Sequence, residues 1–161
     1  GGFTDCLLQH GAARVWAVDV GQGQLAWRLR QDPRVVVRER TNARHLAPSD
    51  LAPDGAPFDL VVIDCSFISL RRVWPACPPL LARTGRVVAL IKPQFEAGRA
   101  EASRGAGVIT DPAVHQRVVL ELEHWVAREL PTLRWHGVTE SPLLGPAGNK
   151  EFLVLLEAVA P

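Results

Sequence analysis

Two nearly uninterrupted apolar runs, Leu60-Val61-Val62-Ile63 and Val87-Val88-Ala89-Leu90-Ile91, each stop abruptly on a charged residue, Asp64 and Lys92. Runs of this length without polar alternation suit strands covered on both faces, as the inner strands of a parallel sheet are. Around them, β-branched stretches alternate with helix-like segments, the pattern of βαβ units and a doubly wound α/β sheet. The spacing predicts strands at 15–20, 35–38, 58–64, 85–91, 133–139 and 152–156, with 58–64 buried on both faces. A helix is expected over 4–10, capped by Thr4 and ended by Gly11. Another is expected over 22–30, and a third over 70–81, which Pro75, Pro78 and Pro79 make irregular. Asp111-Pro112 opens the clearest helix, an N-cap followed by proline at the first helical position, with Val114, Val118, Leu122 and Trp125 on one face. Segments 47–57 and 93–110 read as loops, the second long enough to suggest a functional role.

Composition removes several classes. A chain of 161 residues that is 47% hydrophobic and 22% charged builds one folded domain with a real core, and intrinsic disorder is excluded. No apolar stretch approaches the roughly 20 residues of a membrane-spanning helix, and no secretory signal is visible, so a cytoplasmic location and no membrane partner are expected. Cys6, Cys65 and Cys77 form no C-x-x-C pair and read as buried thiols, which leaves no metal site and no disulfide framework. A net charge of +1 neither requires nor excludes a polyanionic partner. The chain has no methionine and opens on Gly1-Gly2, so it reads as a fragment whose start lies upstream.

In doubly wound sheets ligands bind beyond the carboxyl ends of the strands, so strand-ending polar residues are the candidates. Gly1-Gly2-Phe3 leads into a helix start, where bare backbone lets a ligand approach free N–H groups. Asp19 ends the 15–20 strand, where a carboxylate can accept hydrogen bonds from both ribose hydroxyls of a nucleoside cofactor, NAD and S-adenosylmethionine being equally allowed. Asp64 and Lys92 end adjacent strands. Of 18 basic residues, 16 are arginine and only Lys92 and Lys150 are lysine. A lysine beside low-dielectric walls can act as a general base, which arginine practically cannot. Glu151, at the start of the last strand, is expected at the same edge. Arg99 and Arg104, in the segment following Lys92, are candidates for contact with RNA phosphates.

The strings GGFTDCLL, VWAVDVGQGQLAWRLRQDPRVVVRERTNAR, DLVVIDCSFISL, VALIKPQFEAGR, VITDPAVH and GPAGNKEFL together resemble the TlyA family, also known as haemolysins. That family is similar to the FtsJ/RrmJ-like ribose 2′-O-methyltransferases. The resemblance covers nearly the whole chain. It implies a Rossmann-like S-adenosylmethionine-dependent methyltransferase fold, with a mostly parallel seven-stranded sheet whose first strand is missing here and whose last strand is antiparallel. It implies S-adenosylmethionine as cofactor and ribosomal RNA, in ribosomal subunits, as substrate. Asp64, Lys92 and Glu151 fall on the last three members of a Lys-Asp-Lys-Glu tetrad, whose first lysine lies upstream together with an RNA-binding domain. Gly1, Gly2, Phe3, Asp19, Asn42 and Asp64 fall on cofactor-binding positions. The competing readings are a nicotinamide-dependent dehydrogenase, which has no use for Lys92 and Glu151 beside Asp64, and a non-catalytic module of ribosome assembly.

Overall fold

The computed structural model describes the chain except residues 52, 54, 56, 160 and 161 and the side chains of Arg99 and Arg104. The chain divides into two compact units, Gly1–Gly55 and Ala56–Pro161.

In the first unit, α1 (Gly2–Gln9) follows Gly1 directly, and Thr4 lies inside the helix, 9% exposed, instead of capping it. Gly11 ends the turn beyond it with φ +89°, a conformation open to glycine at no steric cost. β1 (Val15–Val18) pairs in parallel with β2 (Val35–Arg38), Val15 beside Val35 and Val18 beside Arg38. The helix expected over 22–30 contracts to a single turn, α2 (Trp27–Arg30). The cause is local: Gly23 takes φ +71° and sends its N–H to the Glu39 carboxylate, which takes that stretch out of helical register. Leu8, Val15 and Leu29 form the core of this unit, with Leu7, Ala12, Leu25 and Val35 packed on it.

The second unit holds β3 (Phe58–Ile63), β4 (Leu81–Ile91), α3 (Pro93–Glu96), α4 (Arg99–Arg104), α5 (Pro112–Glu129), β5 (Leu133–Glu140) and β6 (Phe152–Ala158). Its sheet runs β3-β4-β6-β5. β3 and β4 are parallel, while β6 is antiparallel to both β4 and β5. The described residues therefore form six strands in a two-stranded and a four-stranded sheet of mixed sense, not a mostly parallel seven-stranded one. The expected antiparallel last strand is present. β5 and β6 are joined without a crossover helix, a connection that only an antiparallel pair accepts.

β4 covers one face completely, Val87, Ala89 and Ile91 each at 0% exposure, and leaves Val88 and Leu90 half-buried on the other, while β3, expected to be buried on both faces, leaves Leu60 37% exposed. β3 has a partner along one edge only, β4, within its sheet. α5 starts as expected, the Asp111 carboxylate accepting the Ala113 N–H at 2.9 Å, and buries His115, Val118, Leu122 and Val126. Leu122, Val126 and Leu156 are also fully covered, and each such side chain favours folding by about 1.5–3 kcal/mol over its exposed state. Trp74 lies at 0% exposure, stacked on Trp125 with ring centroids 6.2 Å apart and edge-on to Trp135. The prolines of 70–81 break that segment into three 3-10 turns. The expected loop 93–110 contains α3 and α4, both too short to betray a period in sequence.

Only one of the three thiols is fully buried. Burial pushes the Cys77 pKa up to about 12, whereas Cys6 is exposed and Cys65 half-buried. Cys6 lies one turn before His10 on the outer face of α1, a position its apolar character does not reveal. Among the described residues no helix is long and apolar enough to cross a membrane.

Candidate active site

Each unit gathers its polar candidates at the carboxyl edge of its own parallel strands. In the first unit, Asp19 follows β1 and is exposed. Its Oδ1 accepts the Gly21 N–H at 2.7 Å, and its backbone carbonyl accepts the Thr41 N–H at 3.0 Å. That second bond brings the segment after β2, with Asn42, beside Asp19. The Asn42 side chain caps a 3-10 turn through the Arg44 N–H at 3.1 Å and is itself exposed. Glu39, which sequence reasoning passed over, accepts from Arg30 and from the Gly23 N–H. These contacts hold its carboxyl below the ordinary value, the Arg30 guanidinium first and the Gly23 N–H second. Gly1 packs tightly, a Cβ there meeting Leu29 at 2.7 Å, whereas a Cβ on Gly2 would meet nothing within 4 Å. The first N–H groups of α1, from Gly2 and Phe3, thus open at an exposed helix start.

In the second unit the three strand-ending charges converge. Lys92 Nζ lies 2.6 Å from Asp64 Oδ1 and donates to the Ser66 hydroxyl at 3.1 Å. The lysine side chain is only 11% exposed, against 51% for Asp64. Glu151 directly precedes β6, whose Phe152 pairs with Ile91, so the register sets Glu151 across from Lys92. It is 8% exposed. Burial raises its pKa above the ordinary carboxyl value; the Lys92 charge pulls it down and the Asp64 charge pushes it up. Both neighbours are therefore within electrostatic reach.

Several supporting residues were not legible in the sequence. A Cβ on Gly145 would stand 2.6 Å from Glu151 Oε1, so glycine there leaves room for the carboxylate. Asn149, 2% exposed, accepts from the Ile109 N–H and donates to the Gly107 carbonyl, both at 2.9 Å, tying the residues before α5 to the approach to Glu151. In sequence it reads as one more turn residue of G-P-A-G-N. Phe67 is 90% exposed with φ +63°, a strained backbone for a bulky residue, and its ring lies 5.0 Å from that of Phe95. The side chains of Arg99 and Arg104, the RNA-contact candidates, lie outside the described residues. Among those described, no group of three or more His, Cys, Asp or Glu could hold a metal ion.

Compared with known structures, the chain follows the N-methyltransferase NodS of Bradyrhizobium japonicum WM9 in complex with S-adenosyl-l-homocysteine, with TM-score 0.59 over 98% of this chain and 72% of that one, at 17% identity. The fold is thus a methyltransferase-like α/β fold with a mixed sheet. The model of the FtsJ-like methyltransferases matches residues 1–158, and the chain belongs to that family. It is 52% identical over 158 residues to the 16S/23S rRNA (cytidine-2′-O)-methyltransferase TlyA of Mycobacterium tuberculosis, covering 97% of this chain and 56% of that protein. A crystal structure from Lactococcus lactis matches at 45% identity with TM-score 0.90, over 98% of this chain and 73% of that one. The chain spans little more than half the length of the curated relatives it matches.

Proposed function

We propose that this chain is the catalytic part of an S-adenosylmethionine-dependent methyltransferase acting on a ribose 2′-hydroxyl of ribosomal RNA. The observation that carries the reading is the Lys92–Asp64 pair at 2.6 Å with buried Glu151 at the same sheet edge. Similarity to the mycobacterial rRNA methyltransferase supplies the substrate class. The first-unit residues fit a nucleoside cofactor: Asp19 keeps a carboxylate oxygen beyond the one bonded to Gly21, and Gly2 leaves open space over the α1 N–H groups. Within the first unit, Gly1, Gly2, Phe3, Asp19 and Asn42 would hold S-adenosylmethionine. Bound there, it supplies an electrophilic methyl group on a sulfonium.

The chain's own residues orient the nucleophile and move its proton. Lys92 takes or steers the proton of the ribose hydroxyl as that oxygen attacks. Asp64 and Ser66 fix the direction of Nζ, and holding the reacting groups in line accounts for much of the acceleration. Glu151 turns a buried acceptor toward the ribose or the lysine. Exposed Phe67, backed by Phe95, offers an aromatic face on which a base displaced from its stack can rest. The first tetrad lysine and an RNA-binding domain are proposed to lie upstream of Gly1, and the site of action to be the cytoplasm, where ribosomal subunits are.

The test incubates labelled S-adenosylmethionine with unmodified ribosomal subunits and the protein, both as residues 1–161 and with its preceding segment. Digested nucleosides are then resolved by mass spectrometry. A 2′-O-methylated nucleoside is expected, and label found only on bases would overturn the reading.

A further inference from the structure

The segments leaving β3 and β4 are joined by successive cross-links. Asp64 meets Lys92 at 2.6 Å, Ser66 accepts from Lys92 at 3.1 Å, and Phe67 rests on Phe95. The outermost link is made by Glu96, the last residue of α3. Its Oε2 accepts the Ser69 hydroxyl and its Oε1 the Leu70 N–H, both at 2.7 Å. We infer that Glu96 is a positioning residue, a latch whose two-point grip on Ser69 and Leu70 holds the Asp64 segment in register with Lys92 and fixes Phe67 in its strained, outward pose.

At 90% exposure the Phe67 ring has little packing to offset a left-handed backbone, so the constraint must come from the residues on either side. On one side stands Ser66, held by Lys92; on the other stand Ser69 and Leu70, held by Glu96. The Ser69 hydroxyl also accepts the Arg71 N–H at 3.2 Å, so one carboxylate organises the whole start of the following turn. Glu96 is half-buried, and this burial raises its pKa against the lowering pull of the Leu70 N–H and the Ser69 hydroxyl. Withdrawing a carboxylate partly from water to serve two loop donors carries a cost that a fixed loop geometry offsets.

The catalytic consequence rests on the methyltransferase reading, whereas the structural one does not, so the experiment reads both. Phe67 is replaced by 4-fluorophenylalanine in the full protein, and its 19F resonance, kcat and KM for ribosomal subunits and the dissociation constant for S-adenosylmethionine are measured. In Glu96→Ala the resonance is expected to move toward that of a freely exposed ring. The same variant should lose about tenfold to a hundredfold in kcat/KM, as loss of an orienting partner typically does, with cofactor affinity within about twofold. Glu96→Gln should restore both signals, because its amide can accept from Leu70 and donate to Ser69. If Glu96→Ala fails to fold, Ser69→Ala, which removes one of the two bonds, should give the same 19F displacement at smaller amplitude. An unmoved resonance in Glu96→Ala or, in its place, Ser69→Ala, or a Glu96→Gln protein as impaired as the alanine variant, would overturn the latch. Absence of methyl transfer by the parent protein would refute the proposed reaction alone, and the 19F comparison would still decide the role of Glu96.

Discussion

The two units hold their polar groups by different means. In Gly1–Gly55, Asp19 is held by the Gly21 N–H and Glu39 by the Arg30 guanidinium and the Gly23 N–H, and the core of this unit is a small cluster around Leu8, Val15 and Leu29. In Ala56–Pro161, charged groups stand at the end of a strand with one fully covered face and hold one another, Lys92 against Asp64 and Ser66, with Glu151 buried alongside. The first arrangement leaves the Asp19 carboxylate exposed, suited to receiving hydroxyl donors from a ligand. The second withdraws a lysine and a carboxylate from water, which strengthens their mutual field. On the proposed function, the difference separates a binding edge from a reacting edge.

The largest effect expected from this contrast is on stability. Leu156→Ala, at 0% exposure in the second unit, should cost about 3–4 kcal/mol in denaturant unfolding, near the upper part of the large-to-small range. Leu29→Ala, 5% exposed in the smaller core, should cost about 2–3 kcal/mol, its neighbours Leu25 and Gly1 being able to close on the gap. Equal costs would erase the distinction between the two cores.

The next effect falls on ligand affinity. Asp19→Asn should weaken S-adenosylmethionine about tenfold by calorimetry, the worth of a hydrogen bond to a charged group, and leave the melting temperature of the protein within a degree or two. Unchanged affinity would remove the binding role from the first unit.

The smallest effect carries an unusual sign. Because burial holds the Glu151 carboxyl above its ordinary value of 4.5, the folded state binds more protons than the unfolded one just above that pH. Stability is therefore fully present below about 4.5 and falls as pH rises through the raised value. Glu151→Gln removes that slope, so the variant should be slightly more stable than the parent at pH 7, with the gain vanishing in acid. Thermal melts at pH 4 and 7 check the sign. A destabilised variant at pH 7 would mean that the carboxylate serves the fold and not the chemistry.

Much of this organisation was legible in the residues. The abrupt charges at Asp64 and Lys92 announced a sheet edge, β2 was bounded correctly at 35–38, and Asp111-Pro112 marked the start of α5. What escaped were features without periodicity. α3 and α4 are one or two turns long, so 93–110 looked like loop, and the role of Glu96 depends on meeting Ser69 and Leu70 across the sheet edge. The strain at Phe67 is a backbone property that no residue identity encodes. Leu60 reads as core in sequence because a strand's apolar run cannot say which of its faces will find a partner.

The most direct test of the central claim, that Lys92 moves the proton, compares Lys92→Arg with the parent in single-turnover transfer from S-adenosylmethionine to ribosomal RNA. Arginine can keep the ion pair with Asp64 but does not give up its proton. Lys92→Arg should fold and bind S-adenosylmethionine like the parent yet transfer methyl about a thousandfold more slowly, the scale of a lost general base. Transfer by Lys92→Arg within a few-fold of the parent would show that positive charge alone suffices, contradicting the proposal that Lys92 acts as the base.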